Sequence, residues 1–515
     1  MKVPLTVSDF LDRAETVYPD SLALVDEPGV PGSLGRLTYR EMAARARGLA
    51  LALDGMGVAG DARVAIVSPN ASRFMISYFG VSGYGRVLVP VNYRLRADEI
   101  AYIVEHSGAS VLLVDPEYDE ALSGVTAKER IVLDGADDAA LFAPAPDGAQ
   151  PRGWVPDEDA TCTINYTSGT TARPKGVQLT HRSCWLNAAS FGWHTTVTDR
   201  DVHLHTLPMF HVNGWGMPYA VTGMGGTHVV IRKIDGEEIL RRVEDEGVTL
   251  MCGAPAVVAS ILDAAAARVA AGQPVPGRDR VRIVVAGAPP PSAIIARVEE
   301  QLGWEFIQIY GLTEASPLLT VNRTRADWAG LPAGERARLL SQAGVPALGV
   351  RLRVDDQGEV LARSNHVFEG YWQQPAETAA ALDDGWFRTG DGGRLDGPQL
   401  SITDRKKDVI ITGGENVSSI EVEECLYQHP AVAEAAVIGV PDEKWGETVK
   451  ALVVLRPGSA AEPAELIEFC RSRMTHYKCP TSVELRAVLE RTATGKLQKF
   501  KLRAPYWAGR ERGVN

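Results

Sequence analysis

The sequence predicts an α/β protein: a large N-terminal domain of α/β subdomains with a β-rich portion, followed by a small α+β C-terminal domain. Three observations carry this. From Arg63 onward, short β-rich runs alternate with helix-like segments; beyond Gly344 the β segments become shorter and are punctuated by Gly and Asp; and a very polar, lysine-bearing stretch, TDRKKDVIITGGENVSS, sets off the last part of the chain. A length of 515 residues exceeds what one hydrophobic core usually serves, and 45% apolar residues are enough for large cores, so at least two domains are expected.

Taken in order, the first block reads VAIVS, a helical stretch after Asn70, RVLVPV, a helix near Ala97 and SVLLVD, an alternation that calls for parallel strands. A Pro-, Ala-, Asp- and Gly-rich interval from Asp134 to Asp159 then reads as a connector. The second block offers strands at VHLHTL, THVVI, VTLMC, VRIVVAG and EFIQIY, with helical patterns from Val257 to Ala270 and from Ser292 to Leu302. Several of these strands stop at residues argued below to bind ligand, as in open α/β sheets, which bind beyond the carboxyl ends of their strands. The β-rich portion includes RLRVDDQGEVLARS. A boundary near Asp404 to Lys407 divides the chain into 1–403 and 404–515. The second part holds a helix from Ser419 to His429, strand-like AEAAVIGV and VKALVVL, a helix after Pro463 and a basic tail, a length that suits a small α+β domain.

Net charge is −12 and the pI near 5.4, without a dense Lys/Arg block, which argues against a nucleic-acid surface or an anionic-membrane anchor. The opening MKVPLTVSDFLDRAE lacks a basic and then apolar leader, and no apolar run reaches the ~18 residues of a membrane span, so the expectation is no integral membrane segment and a cytoplasmic location. Cysteines 162, 184, 252, 425, 470 and 479 are scattered and form no CxxC pair. Without such a pair, they suggest buried or idle thiols rather than a disulfide or zinc framework.

Between Tyr166 and Gly176 the chain reads YTSGTTARPKG, directly after a strand-like stretch. Gly169 allows close backbone approach, the hydroxyls of Thr167, Ser168, Thr170 and Thr171 donate hydrogen bonds, and Lys175 supplies a point charge. Together they make a phosphate cradle and point to a nucleoside triphosphate. It is not a Walker A loop, because the lysine stands before its glycine. Alone, such a run is usually a polar surface turn; its companions decide otherwise.

Those companions are AGAPPPS (286–292), YGLTEAS (310–316), WFRTGD (386–391), DRKKDVIITGGENVSSIEVE (404–423) and RTATGK (491–496). In this order the segments resemble the adenylate-forming superfamily of acyl-CoA synthetases, aryl-CoA ligases and luciferases over nearly the whole chain, most closely its bacterial short-to-medium-chain acyl-CoA synthetases. The resemblance implies an enzyme using ATP, Mg2+ and coenzyme A on a small-molecule carboxylic acid. It places Tyr310 beside adenine, Thr313 on the α-phosphate, and Glu314 with Thr170 at Mg2+, a hard cation that needs few carboxylates beside phosphate oxygens and water. Asp391 takes the ribose hydroxyls, and Arg405 adds a ribose or phosphate contact. Gly287, Ala288 and Pro289 line adenine, and Gly311 completes the nucleotide site. Lys496 bridges carboxylate and α-phosphate, two anions whose merging charge requires a cation in the transition state. Ala172 and Glu490 depart from the family's usual glycine and proline, but neither change removes a ligand.

The resemblance also implies two half-reactions. The carboxylate first becomes an acyl-adenylate as pyrophosphate departs, and a thiol then displaces AMP. Between the steps the small domain rotates about Lys407, withdrawing Lys496 and bringing in the turn of Gly413, Gly414, Glu415 and Asn416. Coenzyme A is the favoured thiol: Trp445 stacks on it, and Arg471, Arg473 and Lys478 pair with its phosphates, although a half-buried packing role for Trp445 stays open. The alternative is a stand-alone adenylating enzyme that loads a carrier protein or an amine. LPMFHVNGWG (207–216) matches the acyl-pocket segment, with His211 and Trp215 in the wall beside Gly287 and Gly311, and His211 also near the chemistry. No Arg or Lys falls at an obvious pocket floor, which favours a monocarboxylic acid with an apolar tail. A homodimer is left open.

Overall fold

The β-branched runs of the first block form the strands Arg63–Val67, Val87–Val91 and Ala109–Val114, paired in parallel. Val64, Ala65, Ile66 and Val67 are all fully buried, the pattern of a strand covered on both faces, here by helices such as Tyr39–Gly55 and Ala97–Ser107. The computed structural model describes residues 2–136, 138–167, 173–287, 290–405, 408–412, 415–442, 444–491 and 497–508, with Arg405 and Asn416 described by backbone alone.

Among the described residues the strands form four sheets. The first runs in the order Gly370–Tyr371, Lys175–Thr180, Thr161–Thr167, Val87–Val91, Arg63–Val67, Ala109–Val114, Glu129–Val132. The second is larger. Its strands Glu305–Gly311, Arg282–Val285, Leu250–Gly253, Val202–His205, Thr227–Val230 and Leu22–Val25 run parallel, and antiparallel strands flank them. The third contains Arg351–Val354, Glu359–Arg363, Leu382–Asp383, Trp386–Asp396 and Gln399–Arg405. The fourth contains Ile410–Thr412, Glu415–Val417, Val432–Asp442, Gly446–Leu455 and Ser482–Leu485. It packs on the helices Ser419–Tyr427 and Pro463–Arg471 around Val422, Leu426, Val437, Val449 and Leu466.

Several boundaries differ from expectation for local reasons. The helix expected from Val257 starts at Pro255, because proline at the first helical position loses no hydrogen bond. The pattern from Ser292 to Leu302 divides into the α-helix Ser292–Arg297 and a wider π-type turn, Val298–Leu302. The helix beginning at Ser419 stops at Tyr427, and the strand read as EFIQIY continues one residue further, through Gly311.

The third sheet keeps hold of the backbone through Arg405, and the next strand, Ile410–Thr412, belongs to the fourth. Asp404 reaches across this junction to accept from Ser419 N (2.9 Å) and Oγ (2.6 Å) at the start of the helix Ser419–Tyr427. From the same helix Glu424 accepts from Ser292 N and Oγ. All six cysteines are buried free thiols. Among the described residues no helix is long and apolar enough to cross a membrane. In the large sheet, burial keeps His203, His205 and His228 neutral by pushing their pKa values far below the ordinary value, His205 to about 3.

Candidate active site

Because the central strands of the large sheet run parallel, the segments following His205, Gly253, Val285 and Gly311 all open along its carboxyl edge. The segment expected to form the phosphate loop lies between the paired strands Thr161–Thr167 and Lys175–Thr180, where Thr167 pairs with Lys175.

One tyrosine joins this hairpin to the YGLTE turn. Gly370–Tyr371 pairs with Lys175–Thr180 and sets Tyr371 opposite Val177. Lys175 Nζ lies 4.9 Å from the centre of the Tyr371 ring, and the phenol donates to Glu314 Oε1 at 2.9 Å. Burial, reinforced by the Glu314 carboxylate, pushes the Tyr371 phenol well above its ordinary pKa, so it keeps the proton it donates. Phe368 N holds the Glu314 backbone carbonyl at 2.8 Å. A carboxylate and an ammonium from separate motifs are thus set against opposite parts of one neutral side chain.

The residues expected at the nucleoside are joined similarly. Tyr310 donates its hydroxyl to Asp391 Oδ2 at 2.8 Å. Asp391 is buried, donates its own N–H to Thr389 Oγ1 (3.1 Å), and stands opposite Arg405 in the antiparallel pair of Trp386–Asp396 with Gln399–Arg405. Gly311 is required by space: a Cβ there would lie 1.7 Å from the carbonyl oxygen of Pro317. Gly287 is exposed just beyond the strand Arg282–Val285 with φ +95°, and Thr313 is buried.

The expected acyl-pocket segment has an unusual backbone. Val212, Asn213, Gly214, Trp215 and Gly216 all have positive φ, from 39° to 80°, so the chain makes a left-handed turn with three residues other than glycine. Left-handed conformation costs an L residue roughly 1–2 kcal/mol, so a run of this kind needs strong external support. Asn70 supplies part of it, donating Nδ2 to the carbonyls of His205 (2.7 Å) and Leu207 (3.0 Å) and accepting Met209 N (2.7 Å). Thr163 donates to Asn213 Oδ1 at 3.3 Å, and Asn187, whose Oδ1 accepts Leu318 N, leaves no space for a Cβ at Gly216. Trp215 is 4% exposed and belongs to the main core cluster, whereas His211 is half-buried.

In the C-terminal part, Thr412 pairs with both Glu415 and Gly446, so the turn bearing Glu415 adjoins the turn bearing Trp445. Glu415 is exposed, as is Trp445 at 49%, with Lys444 Nζ 4.5 Å from its ring. Arg473 lies over Phe469, and Lys478 is paired with Glu421 at 2.8 Å. Ser168, Gly169, Thr170, Thr171, Ala288, Pro289, Lys407, Gly413, Gly414 and Lys496 lie outside the described residues. Sequence reasoning did not find Tyr371, Asn70, Asn187 or Asn213, and it had no signal for them, since none stands in a nucleotide-binding string.

These residues fit a nucleoside triphosphate with one hard cation. They provide an ammonium and a carboxylate around a phenol, a buried carboxylate beside a second phenol, and a glycine turn with no space for a side chain. Fold and site together define an adenylate-forming enzyme. The chain matches the family model of the AMP-binding enzymes over residues 11–372, and that of the AMP-binding enzyme C-terminal domain over residues 421–496; it belongs to this family. Among its relatives, the probable acyl-activating enzyme 5, peroxisomal, of Arabidopsis thaliana is 38% identical over 540 residues, covering 97% of this chain and 95% of that protein. The 2-methylpropanoate–CoA ligase CCL4 of Humulus lupulus is 37% identical over 546 residues with the same coverage. The structure of the anthranilate CoA ligase AuaEII in complex with anthranoyl-AMP matches with a TM-score of 0.85 at 26% identity, covering 98% of this chain and 99% of that one.

Proposed function

We propose that this chain is an ATP-dependent acid–CoA ligase that forms an acyl-adenylate and then an acyl-CoA. The observation that carries the reading is the joining of Lys175 and Glu314 through Tyr371, with Tyr310 and Asp391 paired beside them. A carboxylate oxygen attacks the α-phosphorus of ATP, the bond to the β-phosphate bridge breaks, and pyrophosphate leaves. The coenzyme A thiol, losing its proton, then attacks the acyl carbon, and the bond to AMP breaks. ATP, Mg2+ and coenzyme A are the cosubstrates and cofactor. When bound, Mg2+ neutralises phosphate charge, and Glu314 and Thr170 are the residues to hold it.

Lys175 and the Thr167–Thr171 hydroxyls hold phosphates, Asp391 and Arg405 hold the ribose, and Lys496 stabilises the first transition state. A boundary at residue 404 with Lys407 as its hinge, a coenzyme A site at Glu415 and Trp445, and a cytoplasmic location complete the reading. The acid is a monocarboxylate with an apolar tail of short to medium length or one ring, since the pocket segment embeds Trp215 among apolar side chains.

The test is pyrophosphate exchange across acids of graded length and ring content, followed by thioester formation with free coenzyme A. Each buried CH2 adds roughly 0.8 kcal/mol until the pocket is full, so activity should climb with chain length and then drop sharply. Exchange with no acid in the panel would sink the ligase reading; preference for a dicarboxylate would sink the apolar pocket alone.

A further inference from the structure

We infer that His203, His205 and His228 form a buried binding site for a divalent transition-metal ion of the zinc class, on two strands of the large sheet that carry none of the nucleotide motifs. The strand Val202–His205 carries His203 and His205 two residues apart, hence on one face, and Thr227–Val230 sets His228 opposite His203 in parallel register. All three are at most 1% exposed, and one ring nitrogen from each lies within 4.8 Å of the other two. His205 Nε2 and His228 Nδ1 stand 3.0 Å apart, and the second nitrogen of His228 is 2.9 Å from Thr222 Oγ1. Neither ring nitrogen of His203 has a hydrogen-bond partner among the described residues.

Buried polar groups left without partners are rare, and each calls for a missing water or ion. Three neutral imidazoles suit zinc, nickel, copper or iron rather than magnesium or calcium. With Zn–N bonds of about 2.0–2.1 Å, two imidazole nitrogens on one tetrahedral ion stand about 3.4 Å apart, so the His205–His228 gap needs to widen by only a few tenths of an ångström. Thr222 supplies the second contact that metal-bound histidines ordinarily make: with Nδ1 of His228 on the ion, its Nε2–H donates to the threonine hydroxyl. The proton shared between His205 and His228 moves to the other nitrogen of His205, which leaves two lone pairs facing the ion. Arg282, whose charge reaches His203, is neutralised by its ion pair with Asp201. His205 directly precedes the segment leading into the left-handed turn, whereas Thr222 and His228 follow it, so one ion ties both ends of that segment together.

The test reads metal and does not depend on ligase activity. Full-length protein carrying no histidine tag, produced in zinc-supplemented medium, is analysed for metal content after gel filtration. It is then stripped with a chelator and reloaded with Zn2+ or Co2+. About one equivalent of zinc, a rise of several degrees in the melting midpoint on reloading, and a visible tetrahedral Co2+ absorption are expected. His203→Asn should weaken zinc binding at least about tenfold. Wild-type protein that retains no zinc and melts at the same temperature with and without it would overturn the inference, and a water-filled site would give that result. Unchanged zinc binding in His203→Asn would also overturn it. Should His203→Asn fail to fold, the Co2+ spectrum of the wild-type protein decides, its absence overturning the site.

Discussion

Tyr371 takes its role from what it touches: a phenol held protonated by burial and by Glu314, with Lys175 against its ring. The carboxylate it orients is the one assigned to Mg2+. Glu314→Gln keeps an oxygen for the phenol but offers the cation a neutral amide, so it should raise the Mg2+ requirement and slow adenylation by roughly 10- to 100-fold. Metal titration of the pyrophosphate-exchange rate checks this, and wild-type dependence would leave Glu314 a structural residue. Lys496→Ala separates the half-reactions. Removing a cation needed only where carboxylate and phosphate charge merge should lower adenylation by roughly 100- to 1,000-fold. Thioester formation from supplied acyl-adenylate should stay within a few-fold of wild type, whereas equal loss in both steps would remove the assignment.

At the scale of elements, the left-handed turn at residues 212–216 is the structure least expected from its residue types. It is held by asparagines on two other segments, Asn70 and Asn187, and by its own Asn213. Gly216 has φ +80°, and a Cβ there would approach Asn187 Nδ2 to 2.5 Å; Gly349 has φ +85° with nothing within 4 Å of a Cβ. Gly349→Ala should therefore cost only the backbone penalty, about 1 kcal/mol, whereas Gly216→Ala should cost about 1–3 kcal/mol more by displacing Asn187. Urea unfolding of both variants measures the difference, and equal midpoints would show that the Asn187 contact is not tight.

At the scale of the molecule, the chain leaves the third sheet at Arg405 and joins the fourth at Ile410. Lys407→Pro fixes φ within that interval, so adenylation should survive while thioester formation falls by at least about tenfold. Single-turnover assays of each half-reaction would show it, and two unchanged rates would place the hinge elsewhere. The folded state also carries an acid liability. His181 is buried against Trp154 and accepts Val7 N at Nδ1, and burial pushes its pKa down to about 4 against the opposing charge of Asp157. Unfolding returns it to about 6.5, so the unfolded chain binds the extra proton between those values. Its contribution, about 3 kcal/mol, is fully present above pH 6.5 and is lost as pH falls toward 4. Urea midpoints measured from pH 7 to pH 4.5 should fall accordingly, and His181→Asn should flatten that part of the curve; parallel curves would remove His181 as its source.

The sequence by itself determined the parallel α/β character, because strands buried on both faces must be written as continuous apolar runs such as VAIVS and VRIVV. It also pointed to Lys175, Tyr310, Glu314 and Asp391 as candidates, because their chemistry sits in short strings where residue type and local turn act together. Tertiary structure alone decided what joins those strings. Tyr371 reaches Glu314 across 57 positions of sequence, through a two-residue strand that carries no periodic signal. The left-handed turn was hidden because Val212 and Trp215 disfavour positive φ, and an Asn alone does not force it; contacts from Asn70 and from Thr163 to Asn213 support it. The histidine cluster was hidden for the same physical reason, since His203 and His228 become neighbours only through parallel strand register, and pairing between separate segments leaves no local mark on the chain.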